Sequence, residues 1–270
     1  MSFVIGIDVG SQSVKGVLLD PSGQVVATAG CPCVMSHPRS GWAEQDPLSW
    51  ELGIADVVGQ LLAFGSAGPG AISHLALACQ VDGVVPVDDR LDPLRDAIIW
   101  LDRRAVDQAA ALSADIGATA AFRITGLNLD ASHTAPKIMW IRDAEPAVFR
   151  ATRSMPPVAA FLVGRLTGVL AQDPANASSS LLYDVAAGAW SDKMLDAADL
   201  DPALLPPVRP ATDVAGTLTP AAARRLGLTT RCRVVVGTGD DHGASIGAGA
   251  VRPGVIADIT GTAEPVTVTS

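Results

Sequence analysis

The sequence predicts an α/β fold with a mixed sheet and flanking helices. Three observations carry that prediction: an opening set of short apolar runs joined by tight turns, a series of segments with helical start signals, and isolated apolar runs that return between those segments as buried strands.

The opening reads as strand, turn, strand, turn, strand. Val4 to Ile7 is a short apolar run of the kind that fills a strand buried on both faces, and it ends at Asp8 before Gly10-Ser11-Gln12-Ser13. Val14 to Leu19 follows and is closed by Asp20-Pro21-Ser22-Gly23, where proline fixes φ and glycine permits positive φ. Val25 to Thr28 then returns, so the opening is an antiparallel meander and not the strand-helix-strand start of a dinucleotide fold. The first helix starts at Asp46-Pro47, a capping residue followed by proline in the first turn, with Trp50, Ile54, Val57, Val58, Leu61 and Leu62 on its apolar face and Glu51, Asp56 and Gln60 between them. Leu75 to Cys79 reads as a strand, helices are expected around 103–117, 136–151, 156–167, 191–198 and 219–226, and Val234 to Val236 reads as another buried strand. A helix of small residues is expected from Ala244 to Ala250, and the proline-rich stretch Pro202 to Pro210 reads as an irregular connection.

Composition narrows the function. The chain has 270 residues, of which 49% are hydrophobic and 17% charged, enough to bury a large core and poorly suited to disorder. Nineteen Lys and Arg against 28 Asp and Glu give a net charge of −9, with no basic surplus for a nucleic-acid partner. No apolar run approaches the roughly 20 residues that a membrane span needs, and the N-terminus has no basic segment of the export type, so a cytoplasmic location without a membrane partner is expected. The four cysteines, at 31, 33, 79 and 232, read as reduced thiols; Cys31 and Cys33 with His37 could suggest zinc, but packing is the better account.

An internal echo bears on organisation. Ile5 to Ser11 with the run 14–19 is matched by Ile256-Ala257-Asp258-Ile259-Thr260-Gly261-Thr262 with Pro265 to Val268: an apolar strand, a turn of Gly with Ser or Thr, and a return strand. The expectation is a first lobe over 1–254 and the opening hairpin of a second lobe over 255–270, with little or no turnover from this chain alone.

Two such hairpins facing one cleft would offer backbone N–H groups and hydroxyls to a polyphosphate, with glycine allowing the close approach. Asp8 could bind magnesium directly or through water; alternatively, it and the glycines simply make a hairpin. Gly237-Thr238-Gly239-Asp240-Asp241-His242-Gly243 is not a dinucleotide fingerprint, because His242 stands where its third glycine belongs. What remains is a pair of carboxylates at the carboxyl end of a strand, one of which could take the proton of a substrate hydroxyl, with plain helix capping by Asp240 as the alternative. His242 is a candidate substrate contact, His133 a weaker one, and Arg224-Arg225 reads as solvated surface.

Several blocks, in order along the chain, resemble the FGGY carbohydrate kinases, most closely the xylulokinase-like branch. They are Ile5 to Lys15, Gly41-Trp42-Ala43-Glu44-Gln45-Asp46-Pro47, Gln80-Val81-Asp82-Gly83, Pro93 to Arg104, Thr134 to Trp140, Gly237 to Asp240 and Gly261-Thr262. The resemblance implies an actin-like, ribonuclease-H-like fold and transfer of the γ-phosphoryl group of ATP, with Mg2+, to a hydroxyl of an open-chain ketose or polyol. It implies Asp240 as general base, Asp8 as the metal-linked acid, Gly10, Ser11, Gln12 and Ser13 as the first phosphate loop, and Gly261 and Thr262 as the second. Gln80, Val81, Asp82, Trp100 and Asp241 fall on its sugar-binding positions. Relatives in the xylulokinase branch typically carry Met-His where this chain has Val81-Asp82, and glycerol kinases carry Arg-Glu. The two carboxylates of Asp82 and Asp241 favour a neutral substrate rich in hydroxyl donors, a pentulose such as D-xylulose foremost. Glycerol or another polyol is the alternative acceptor, a non-catalytic sugar-binding module and a water-activating ATPase are the alternative activities, and a homodimer is one assembly open to the chain.

Overall fold

The computed structural model describes residues 2–65, 67–260 and 264–269. Strands β1 (Phe3–Val9), β2 (Ser13–Leu19) and β3 (Val25–Pro32) form the expected antiparallel meander. Along β1 the side chains alternate, so Ile5, Ile7 and Val9 are buried while Asp8 lies on the opposite face, only half-buried. β4 (Glu44–Gln45) is a two-residue strand. Helix α1 (Pro47–Phe64) starts where the sequence places it, with the Asp46 carboxylate accepting from Leu48 N at 2.9 Å.

α1 covers one face of the sheet with Trp50, Ile54, Val57, Val58 and Leu61, each 0–1% exposed, and burying such side chains contributes about 1.5–3 kcal/mol apiece. It sits very close to β2, for a Cβ on Gly16 would lie 2.5 Å from Val57 Cγ1. Glu51, expected on the polar side of this helix, is 4% exposed and pairs with Arg165 and Arg225, each at 2.6 Å. Arg225 is therefore an ion-pair partner and not a solvated surface residue, because helix packing brings it over Glu51.

β5 (Ile72–Cys79) runs parallel to β1, and β6 (Ala97–Ile98) pairs with β4. The chain then builds a helical layer from α2 (Val106–Ile116), α3 (Ala118–Thr125), α4 (Thr134–Ala144) and α5 (Pro146–Ala151), around a second core that includes Val84, Ile98, Ile138, Met155 and Leu181. α6 (Val158–Thr167) is buried nearly all round and packs on the sheet. Next come α7 (Pro174–Ser178), the small hairpin β7 (Tyr183–Asp184) with β8 (Ala189–Trp190), α8 (Asp192–Ala198), β9 (Val214–Thr217), α9 (Pro220–Leu226) and β10 (Arg233–Val235). β11 (Thr238–Gly239) leads directly into α10 (Asp240–Gly247), and β12 (Ile256–Asp258) pairs antiparallel with β13 (Val266–Val268).

Among the described residues, seven strands form the main sheet, in the order β3-β2-β1-β5-β10-β9 with β11 also on β5. An antiparallel meander continued by parallel strands is the ribonuclease-H-like arrangement, and helices flank it as expected. The helix expected over 136–151 is two, because Pro146 bars Glu145 from helical geometry and opens a new first turn. The helix expected from 103 begins at Val106, since Asp102 and Arg104 are locked in a buried ion pair at 2.7 Å. The small-residue helix begins at Asp240, not Ala244. Cys31 and Cys33 pack against the core, with the Cys31 thiol directed at Gly53 O. Among the described residues, no helix is long and apolar enough to cross a membrane.

Candidate active site

The carboxyl ends of β1, β5 and β11 open into one cleft of about 660 Å³. Register places them there: Val9 and Gly239 both lie opposite Cys79, on either side of β5. Asp8 and Asp240 are the neighbours of those two residues in sequence, so the sheet itself brings together two acids separated by most of the chain. Gly237 makes the approach of β11 feasible. It has φ +77°, and a Cβ there would fall 2.2 Å from Leu77 O.

The cleft is lined by Asp8, Gly10, Ser11, Gln12, Ser13, Gln80, Val81, Trp100, Asp240 and Asp241, which are all but one of the expected residues within the described part of the chain. Gly261 and Thr262 lie outside the described residues. Asp82 stands apart from the lining: it has φ +57°, its carboxylate faces His133 Nδ1 at 3.3 Å, and its carbonyl accepts from Lys137 Nζ at 2.6 Å. Lys137 is fully buried and also donates to Ser132 O, and burial lowers its pKa to about 8 against the opposing pull of Asp82 and Asp102. This ammonium ties the loop that carries Val81 to the start of α4.

Asp240 occupies the first turn of α10, where Gly239 takes the capping position and Asp241 N donates to Asp240 Oδ1 at 2.9 Å. The alternative of plain capping by Asp240 is not what the structure shows. Burial, with the charges of Asp241 and Asp8 adding to it, raises the Asp240 pKa to about 6. Such a carboxylate is ionised at neutral pH yet more basic than a free one, which suits a proton acceptor. Burial also works against ionisation of Asp241, but its bonds from His242 hold it below the ordinary carboxylate value. His242 Nδ1 lies 2.7 Å from Asp241 Oδ1, a bond that raises the histidine in turn, and His242 itself is not among the lining residues. Its contribution is to hold Asp241.

Burial raises Asp8, opposed by Lys15, which stands opposite it on β2. Asp8 Oδ1 is buried and has no hydrogen-bond partner among the described residues. A magnesium ion held mainly by phosphate oxygens and water fits that unpartnered oxygen, for such ions commonly take only one or two protein carboxylates. The loop after Asp8 is tight, with Gly10 N donating to Ser13 O at 3.0 Å.

Sequence reasoning missed several supporting groups. Thr238 Oγ1 donates to Asp173 Oδ2 at 2.7 Å, and Asp173 also caps α7, so β11 is tied to a helix 65 residues earlier. The Asp173-Pro174 pair is the same start signal as Asp46-Pro47 and could have been found. Ile259, Thr260, Glu264 and Pro265 also line the cleft, as expected for residues of the second hairpin. Arg104 stacks on Trp42 at 3.6 Å and pairs with Glu44 and Asp102.

The model of the FGGY family of carbohydrate kinases, N-terminal domain, matches residues 3–247. The chain belongs to the FGGY family of carbohydrate kinases. It is 34% identical to a xylulose kinase from Klebsiella pneumoniae over 93% of this chain and 51% of that protein. It is 30% identical to a glycerol kinase from Albidiferax ferrireducens over 97% of this chain and 53% of that protein. The crystal structure of xylulose kinase from Rhodospirillum rubrum superposes with a TM-score of 0.89 at 31% identity, covering 94% of this chain and 52% of that one. The chain spans about half the length of the curated relatives it matches.

Proposed function

We propose that the protein is an ATP-dependent carbohydrate kinase that phosphorylates a hydroxyl of a neutral open-chain ketose or polyol, a pentulose such as D-xylulose foremost. The observation that carries this is the placing of Asp8 and Asp240 on either side of the end of β5, within one cleft also lined by the 10–13 loop and Trp100. Similarity to xylulose kinases supports the pentulose, and Asp241, an ionised acceptor in the lining, supports a substrate rich in hydroxyl donors.

Asp240 accepts the proton of the attacking hydroxyl as that oxygen bonds to the γ-phosphorus and the bond to the departing ADP breaks. The amides and hydroxyls of Gly10 to Ser13 hold phosphate oxygens, and Gly261 and Thr262 are assigned the matching role from the other side. Asp8 would hold Mg2+, which would supply neutralisation of phosphate charge. Trp100 offers its ring to the carbon skeleton, and Gln80, Val81, Asp82 and Asp241 belong to the sugar side, with Asp82 acting through the loop conformation that it shares with Lys137. Residues 1–254 form the sugar-binding lobe in this reading, and the hairpin from 255 onward begins the nucleotide lobe.

ADP release by the full-length protein, measured with pentuloses, pentitols, glycerol and no carbohydrate, tests the proposal. Release that depends on a pentulose supports it, preference for glycerol moves the acceptor assignment, and release without any carbohydrate indicates a water-activating ATPase instead.

A further inference from the structure

Gln45 and Gln80 are each 1% exposed and bonded to one another beneath the cleft. Gln45 Nε2 donates to Ser11 O at 2.9 Å and to Val34 O at 3.3 Å. Carbonyl oxygens only accept, so the amide of Gln45 has one permitted orientation, with its NH2 towards the backbone and its Oε1 towards Gln80. That Oε1 accepts from Gln80 Nε2 at 2.7 Å. The orientation of Gln80 is thereby fixed as well, and its own Oε1 is the end left over. This oxygen is buried without a partner among the described residues, in a residue that lines the cleft. A buried carbonyl in that state requires a donor.

We propose that the two amides form a polarity relay that sets acceptor specificity: Gln45, anchored on the backbone of the 10–13 loop, turns Gln80 so that its Oε1 accepts an O–H from the bound carbohydrate. Gln80 is then a binding residue of defined polarity and Gln45 its positioning residue. A hydroxyl satisfies the site; a deoxy position or a ring-type ether oxygen leaves it unsatisfied. The relay also joins the loop assigned to phosphate to the sugar side through two side chains. The inference rests on the reading of the cleft as a carbohydrate site.

Titration calorimetry with D-xylulose and its monodeoxy analogues tests it. In the wild type one analogue should bind about tenfold more weakly than the parent, and equal binding of the whole series overturns the relay. Gln80→Met, close in size but unable to accept, should abolish the penalty for that analogue alone, and Gln45→Met should shrink it by freeing Gln80 to rotate. Thermal melts confirm that each variant folds, and the wild-type series stands whether or not they do. Binding of the parent with a deoxy pattern unaffected in folded variants overturns the relay only. Absence of binding by any neutral open-chain carbohydrate overturns the carbohydrate reading and the relay with it.

Discussion

Asp8 and Asp240 flank the same strand end, held there because Val9 and Gly239 are both register partners of Cys79. The charge of Asp8 is one cause of the raised pKa of Asp240, so the arrangement that gathers the two acids also makes the second more basic. The buried Cys79 thiol between them feels both acids and Asp173, and stays protonated.

Phosphorylation should follow the ionisation of Asp240. With its pKa raised to about 6, kcat/KM should be level near pH 7 to 8 and fall about tenfold per pH unit well below 6. A pH–rate profile with the preferred acceptor checks this, and an acid limb near pH 4 would separate the base from this carboxylate.

Placing the charge there costs stability. The folded pKa of about 6 lies above the ordinary value of 3.8, so the folded state binds the extra proton between those limits and loses stability as pH rises through them. Removing the charge reverses the loss. Asp240→Asn should stabilise the fold at pH 7 by about 1–2 kcal/mol, after allowing for partial solvent screening of a full shift worth about 3 kcal/mol. The gain should vanish near pH 4, which denaturant unfolding at the two pH values would show.

Gly237 has no room for a side chain. Gly237→Ala combines positive φ with a Cβ 2.2 Å from Leu77 O, and the contact is with backbone that cannot swing away. A loss of about 3 kcal/mol or more, or failure to fold, is expected in chemical denaturation. Gly117→Ala, where nothing lies within 4 Å, carries only the cost of its φ and is the control.

Asp173→Ala should weaken the site from outside the cleft. It removes both the α7 cap and the acceptor for Thr238, a 2% exposed carboxylate in each case, with a cost of about 2 kcal/mol in thermal or chemical unfolding. Because Thr238 precedes Asp240 by two residues, turnover should fall further than sugar affinity does. Equal losses in both would mean a purely structural role.

The fold was legible wherever one residue determines local geometry. Asp46-Pro47 marked α1, the Pro21 and Gly23 turn marked the meander, and the Gly-Ser/Thr echo marked the β12–β13 hairpin. The residues that line the cleft could be read because they cluster at strand ends, where an acid interrupts an apolar run. What escaped was set by tertiary contact. The resemblance puts Asp82 among the sugar positions, and no sequence signal told that its carboxylate would face His133 from a residue of positive φ. Glu51 has the spacing of a polar face and is drawn inside by two arginines from distant helices. Gln45 and Gln80 carry no signal of pairing, since only the packing of two separate sheets brings them together.

The most direct measurement compares carbohydrate-dependent ADP release and carbohydrate affinity in the full-length protein, as wild type and as Asp240→Ala. Turnover in the variant should drop by about 10²–10⁴-fold while affinity for the acceptor stays within a few-fold, the pattern of a lost proton acceptor in an intact binding cleft. Turnover near the wild-type rate in Asp240→Ala would contradict the account.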